Sequence, residues 1–174
     1  SQRSYSHYSA GGLKLYKANS MLAFIHAVNR ILPLDNDQNL PCCYSFIPSS
    51  EDWPDSSLAQ MVEWIGALLP VRYVRCDSFA EYKKAISREP SIILATGYHL
   101  ASLFENQTPF RVHPNTVVMQ TGGFKGKSFE YGVADFYQRL VDHFFLPSGQ
   151  IIGEYGMCEL ASQAYAWGLG EDGE

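Results

Sequence analysis

The sequence predicts an α/β fold, a mostly parallel sheet with helices on both faces. Short apolar runs of strand length alternate four or five times with segments of helical periodicity. The runs read as buried strands, as a sheet covered on both faces requires. Two of them, Thr116–Gln120 and Gln150–Ile152, end in small residues followed by groups able to handle a nucleotide. Open α/β sheets bind ligands at the carboxyl ends of their strands.

The elements follow in chain order. Leu15, Met21, Leu22, Ile25, Val28, Ile31 and Leu32 recur near a helical period over residues 14–32, and Pro33 stops the helix. Pro41–Ile47 is a short apolar strand, and residues 48–54 have loop composition. Ser56 or Ser57 can cap a helix running through Met61, Trp64 and Ile65 to Leu69. Val71–Val74 is the next strand. Ser78 and Glu81 have the spacing of a capping box, for a helix ending near Ser87. Ser91–Ala95 is strand, and Thr96-Gly97 opens a helix through Leu100, Leu103 and Phe104. Residues 106–115 form a loop before the strand Thr116–Gln120. Residues 129–145 are mostly helix, with Phe136, Leu140, Phe144 and Phe145 inward. Ile151 and Ile152 lie in a last strand, and Glu159–Trp167 is expected as a short helix.

Composition narrows the function classes. At 174 residues the chain can bury the core of one domain. Hydrophobic residues make up 46% and charged residues 18%, a globular balance. A net charge of −5 argues against a dedicated nucleic-acid binder, which would carry a basic face. No apolar run reaches the length of a membrane span, and the polar start lacks a signal-peptide core. Cys42, Cys43, Cys76 and Cys158 show no paired ligand spacing, so a reduced, cytoplasmic protein without zinc is expected. No repeat and no linker interrupts the chain, which reads as a single α/β domain or subdomain over residues 1–174.

Three segments carry chemistry. In Thr121-Gly122-Gly123-Phe124-Lys125-Gly126-Lys127-Ser128, the glycines let backbone approach a ligand and the lysines add positive charge. Helix N–H groups opening near Ser128 would favour an anion. The Walker spacing is absent, and the segment also reads as a strand-to-helix turn with solvated lysines. In Tyr155-Gly156-Met157-Cys158-Glu159, Tyr155 can stack on a base and Gly156 can bring backbone N–H groups near phosphate. Glu159 can hold a magnesium ion that also binds phosphate oxygens. The plainer alternative is a core tyrosine and a glutamate favouring a helix N-terminus. In Thr96-Gly97-Tyr98-His99, the side chains can line a pocket for an acyl chain or its carboxylate, or form a helix cap with a half-buried histidine. Cys158 is a candidate nucleophile at a helix start, without a sequence-local base. His7, His26, His113 and His143 have no evident partner and read as structural or exposed.

At these residues the chain resembles the acyl-protein synthetase family, known from the fatty-acid reductase of bacterial luminescence. That family lies within the adenylate-forming superfamily of acyl-CoA ligases, firefly-type luciferases and adenylation domains. Thr121-Gly122-Gly123-Phe124-Lys125-Gly126 is similar to the family's T-G-G-aromatic-K pattern, and Tyr155-Gly156-Met157-Cys158-Glu159 to the superfamily's Y-G-x-T-E motif. Ala95–Leu100 resembles the strand-to-helix segment beside the acyl pocket.

The resemblance implies a two-step reaction. ATP activates a carboxylic acid, a fatty acid by this likeness, as an acyl-adenylate, and a thiol of an acceptor protein or of coenzyme A then takes the acyl group. It implies that Thr121, Gly122 and Gly123 border the adenine, that Tyr155 packs on its ring, and that Gly156 and Met157 shape the phosphate site. Glu159 would meet Mg2+, and Thr96 to His99 would border the acyl site. Cys158 stands where the superfamily has threonine, and a thiol is the weaker donor to phosphate. The expected Ser/Thr/Gly-rich phosphate loop, ribose-binding Asp and small C-terminal domain are not within residues 1–174, so the chain reads as part of a longer adenylate-forming enzyme, inactive by itself. Rival readings are a coenzyme A ligase of the phenylacetate type, a nucleotide-binding or protein-interaction module without catalysis, and a thiol enzyme using Cys158.

Overall fold

The computed structural model describes residues 8–34, 40–122, 132–157 and 162–168. Helix α1, Ala10–Asn29, leads to strand β1, Cys42–Ser45, helix α2, Ser57–Gly66, and strand β2, Val71–Tyr73. A 3-10 turn runs into the short helix α3, Lys83–Ile86, followed by β3, Ser91–Thr96, and α4, Gly97–Asn106. Then come β4, Val117–Thr121, α5, Val133–Phe144, β5, Ile151–Met157, and β6, Ser162–Trp167.

Among the described residues one six-stranded sheet runs in the order β2-β1-β3-β4-β5-β6. Strands β2, β1, β3, β4 and β5 are parallel neighbours, and β6 pairs antiparallel with β5. The chain moves outward from β1 to β2, then returns past β1 to β3. That reversal makes the gap between the carboxyl ends of β1 and β3 the switch point at which such sheets hold ligands.

Alternation along the strands builds two cores. Ile92, Leu94, Val117, Met119 and Ile152 face α1 and α2. Ile93, Ala95, Val118 and Ile151 face the other way, toward Leu100, Leu140 and Phe144. Each fully buried Val, Ile, Leu, Met or Phe side chain among them contributes about 1.5–3 kcal/mol, and the two layers give the parallel strands their continuous apolar character.

Side-chain caps fix where helices begin. Ser9 Oγ accepts from the Gly12 N–H at 3.1 Å, Ser56 Oγ from Ala59 at 3.2 Å, and Thr96 Oγ1 from His99 at 3.3 Å. Of the two candidate caps for α2, Ser56 is the one used. The capping box expected at Ser78 does not form. Ser78 has φ −99° and ψ −1° rather than extended geometry, and its hydroxyl turns back to the Arg75 carbonyl.

Three further expectations are corrected. The segment ending at Trp167 is strand from Ser162, not helix. Gln163, Tyr165 and Trp167 are half-buried while Ala164 and Ala166 are exposed, a period of two. The Trp167 indole N–H donates to the Ala27 carbonyl at 3.3 Å, tying β6 beneath α1. Phe145, expected inward, is 51% exposed. It leaves the helical path at φ 52°, so its side chain departs from the inward row of α5 and lies against the Arg111 guanidinium. Leu15 and Leu22, counted in the apolar period of α1, point outward, while Tyr16, Phe24, Ala27 and Val28 carry its packing.

Candidate functional site

The carboxyl ends of β3, β4 and β5 stand side by side. Thr96 is in register with Thr121, and Thr121 with Glu154. Thr96 and Thr121 open two of the segments singled out from the sequence and Glu154 immediately precedes the third, so hydrogen-bonded register brings the three segments to one edge of the sheet.

Gly122 follows Thr121 with φ +61°. Among the described residues a Cβ there would meet nothing within 4 Å, so within them it is backbone conformation rather than crowding that demands the glycine. Gly123 and residues 124–131, with both lysines of the turn, lie outside the described residues. Thr121 itself is buried, 2% exposed, and its hydroxyl donates to the Glu154 carboxylate, which is 7% exposed. Burial pushes the Glu154 carboxyl above its ordinary range, and the Thr121 hydrogen bond works against that rise. Tyr165, opposite Glu154 on β6, has its hydroxyl pushed up by burial and then by the Glu154 charge.

One residue on, the pleat turns the side chain to the opposite face. Tyr155 is 66% exposed, an aromatic surface beside the Gly122 corner. Gly156 and Met157 continue β5, paired with Gln163 and Ser162. Cys158 and Glu159, proposed for the phosphate and Mg2+, lie outside the described residues. Among the described residues no group of three or more His, Cys, Asp or Glu side chains could hold a metal ion.

The third segment divides. Thr96 caps α4 and its Oγ1 lies 2.9 Å from His99 Nδ1, while Gly97 is buried in the helix start. Tyr98 and His99 line an open groove of about 690 Å³ with Phe46, Trp53, Tyr73 and Cys76. The groove sits past the ends of β1 and β2 and against the first turn of α4, at the switch point of the sheet. The Cys76 thiol donates to the His99 carbonyl at 3.8 Å, joining two of its walls. The groove residues following β1 and β2 were missed from sequence. The usable signal was that residues just after parallel strands belong to the ligand edge, whatever their motif. Gln120 and Gly153 are register partners, with the Tyr137 hydroxyl beside Gly153, and no motif marks these three residues in the sequence.

Cys42, Cys43 and Cys76 are free thiols, and burial pushes each of them up. His143, read as structural or exposed, is buried among Phe104, Phe110 and Phe144. No described helix is long and apolar enough to cross a membrane.

The fold and this strand-end edge define an α/β protein of the doubly wound type. No family model matches the chain, and no curated protein matches it in sequence. Solved structures do: the coronafacic acid ligase of Pectobacterium brasiliense and a mutant form of that ligase superpose with TM-scores of 0.50 and 0.52, at 12% and 13% identity. In both, the match covers 86% of this chain and 28% of the ligase chain. The likeness is one of fold, and the chain spans just over a quarter of the ligase's length.

Proposed function

We propose that this chain supplies the nucleotide- and acid-binding edge of a ligase that uses ATP to activate a carboxylic acid as an acyl-adenylate and then passes the acyl group to a thiol. The carrying observation is the Thr121–Glu154 register, which sets the left-handed Gly122 corner beside the exposed Tyr155 ring. In this reading the Thr121-Gly122-Gly123 backbone borders adenine, Tyr155 stacks on it, and Gly156 and Met157 line the phosphates. Glu159 would hold Mg2+, which would supply positive charge against the phosphates where the carboxylate attacks the α-phosphate and pyrophosphate leaves. The acid lies in the groove bordered by Tyr98 and His99, with Thr96 fixing the helix turn that carries them. The fold shared with a coronafacic acid ligase supports ligase chemistry at this edge.

The motif resemblance favours an acyl-protein synthetase, with a protein thiol as acceptor and a fatty acid as substrate; coenzyme A is the alternative acceptor. Cys158, in the place of a phosphate-contacting threonine, favours a second reading, a nucleotide-binding module that has lost catalysis. ATP-dependent hydroxamate formation by the full-length protein, assayed over a series of carboxylic acids with hydroxylamine, tests both. Acid-dependent product supports the ligase, and a rise on Cys158→Thr marks a weakened enzyme. Saturable ATP binding without product in either form supports the module. Adding coenzyme A or a candidate acceptor protein to preformed acyl-adenylate separates the two acceptors.

A further inference from the structure

We propose that the Tyr137 hydroxyl and the Gln120 side-chain carbonyl read the edge of an adenine ring stacked on Tyr155, and so select ATP over GTP. The inference rests on the nucleotide site proposed above and assigns its base specificity. Gln120 and Gly153 are register partners on β4 and β5, on the face opposite Glu154 and the same face as Tyr155. An ideal Cβ built on Gly153 would stand 2.6 Å from the Tyr137 hydroxyl oxygen and 3.9 Å from Gln120 Oε1. The missing side chain at Gly153 is therefore what lets the phenol of α5 reach the strand end, next to a second polar atom.

Neither polar atom is spent within the described fold. Tyr137 as a whole is 9% exposed, and among the described residues no hydrogen bond to its hydroxyl is found. Burial also pushes this phenol up, which keeps its proton for donation. With no partner in the described fold and not itself a fully buried unsatisfied atom, this hydroxyl is free to donate to a ligand at the strand end. The Gln120 amide is oriented by its neighbour. Its Nε2 donates to the Gly122 carbonyl, which can only accept, so Oε1 is the end left to face a ligand.

The pair offers one donor and one acceptor. Adenine presents the complementary pattern on its major-groove edge, an acceptor at N7 and a donor at the N6 amino group. Guanine presents acceptors at both N7 and O6. Its O6 would face Gln120 Oε1, acceptor against acceptor. The Gly122 carbonyl that orients Gln120 belongs to the corner expected to border the same ring, so corner and reader are one unit.

Titration of the full-length protein with ATP, GTP and tripolyphosphate tests this. Wild type should prefer ATP. Tyr137→Phe should weaken ATP about tenfold, the scale of one lost hydrogen bond. Gln120→Leu should bring ATP and GTP to within about twofold, since it removes the acceptor that rejects O6. Tripolyphosphate, which lacks a base, should bind all three proteins alike. Gly153→Ala, which forces the phenol aside, should reproduce the Tyr137→Phe loss. An ATP affinity unchanged by Tyr137→Phe, or an ATP-to-GTP ratio unchanged by Gln120→Leu, overturns the assignment of that residue while leaving the nucleotide site standing. Wild type that binds no ATP removes the site itself.

Discussion

The Thr121 hydroxyl donates a hydrogen bond to the Glu154 carboxylate across the β4–β5 register, and both side chains are buried. This tie joins the two strand ends that open into the Gly122 corner and Tyr155. Thr121→Val keeps the shape and removes the donor, leaving a buried carboxyl without its described partner. The expected loss is about 1–3 kcal/mol, or a fall in Tm of a few degrees per kcal/mol for a domain of this size.

Glu154 also sets a pH dependence. Its folded pKa lies above the ordinary value of 4.5, so the folded state holds the proton more tightly than the unfolded chain. Its contribution to stability is therefore full below pH 4.5 and falls as pH rises through the folded value. Glu154→Gln should flatten that part of a urea-midpoint profile. Thr121→Val should widen it upward, because it removes the bond that lowers the carboxyl.

His143 acts in the opposite sense. Burial, with the Lys83 charge, pushes it from 6.5 down to about 4, and among the described residues its Nε2 has no hydrogen-bond partner. The folded state rejects the proton that the unfolded chain accepts. Stability from this site is full above pH 6.5 and is lost as pH falls toward 4, by roughly 3 kcal/mol. His143→Phe should remove this acid sensitivity in thermal melts between those values.

Gly122 separates backbone strain from crowding. With φ +61° and no described atom within 4 Å of a Cβ, Gly122→Ala should cost about 1 kcal/mol or slightly more through conformation. Gly122→Asn should cost less, since asparagine tolerates the left-handed region. Denaturant melts of the two variants should fall in that order.

Trp53 is 53% exposed in the groove with Tyr98 and His99. If the groove holds the acid, Trp53→Ala should raise the acid KM several-fold and leave the ATP KM unchanged. Quenching of Trp53 fluorescence by the acid should report the same contact directly.

Much of the architecture was legible because its signals were local. Ile92 to Ala95 and Val117 to Met119 read as buried strands, since a sheet covered on both faces leaves no polar alternation. Thr96 announced a helix through a cap that forms. The exceptions were decided by contacts distant in sequence. Ala164 and Ala166 read as helix formers, but Trp167 reaches Ala27 and Tyr165 packs with the α1 layer, so pairing with β5 overrides propensity. At the strand-end edge, Gly122 and Tyr155 are marked in the sequence by motifs. Tyr137 carries no motif, and only the pairing of Gln120 with Gly153 brings its hydroxyl into view.

The most direct test of the account is calorimetric titration of ATP into the full-length protein and its Tyr155→Ala variant. The account predicts saturable binding to the wild type and a loss of about tenfold or more in the variant, the scale of one base–aromatic stack of 1–3 kcal/mol, with circular dichroism unchanged. No saturable ATP binding, or equal affinity in the two proteins, would contradict it.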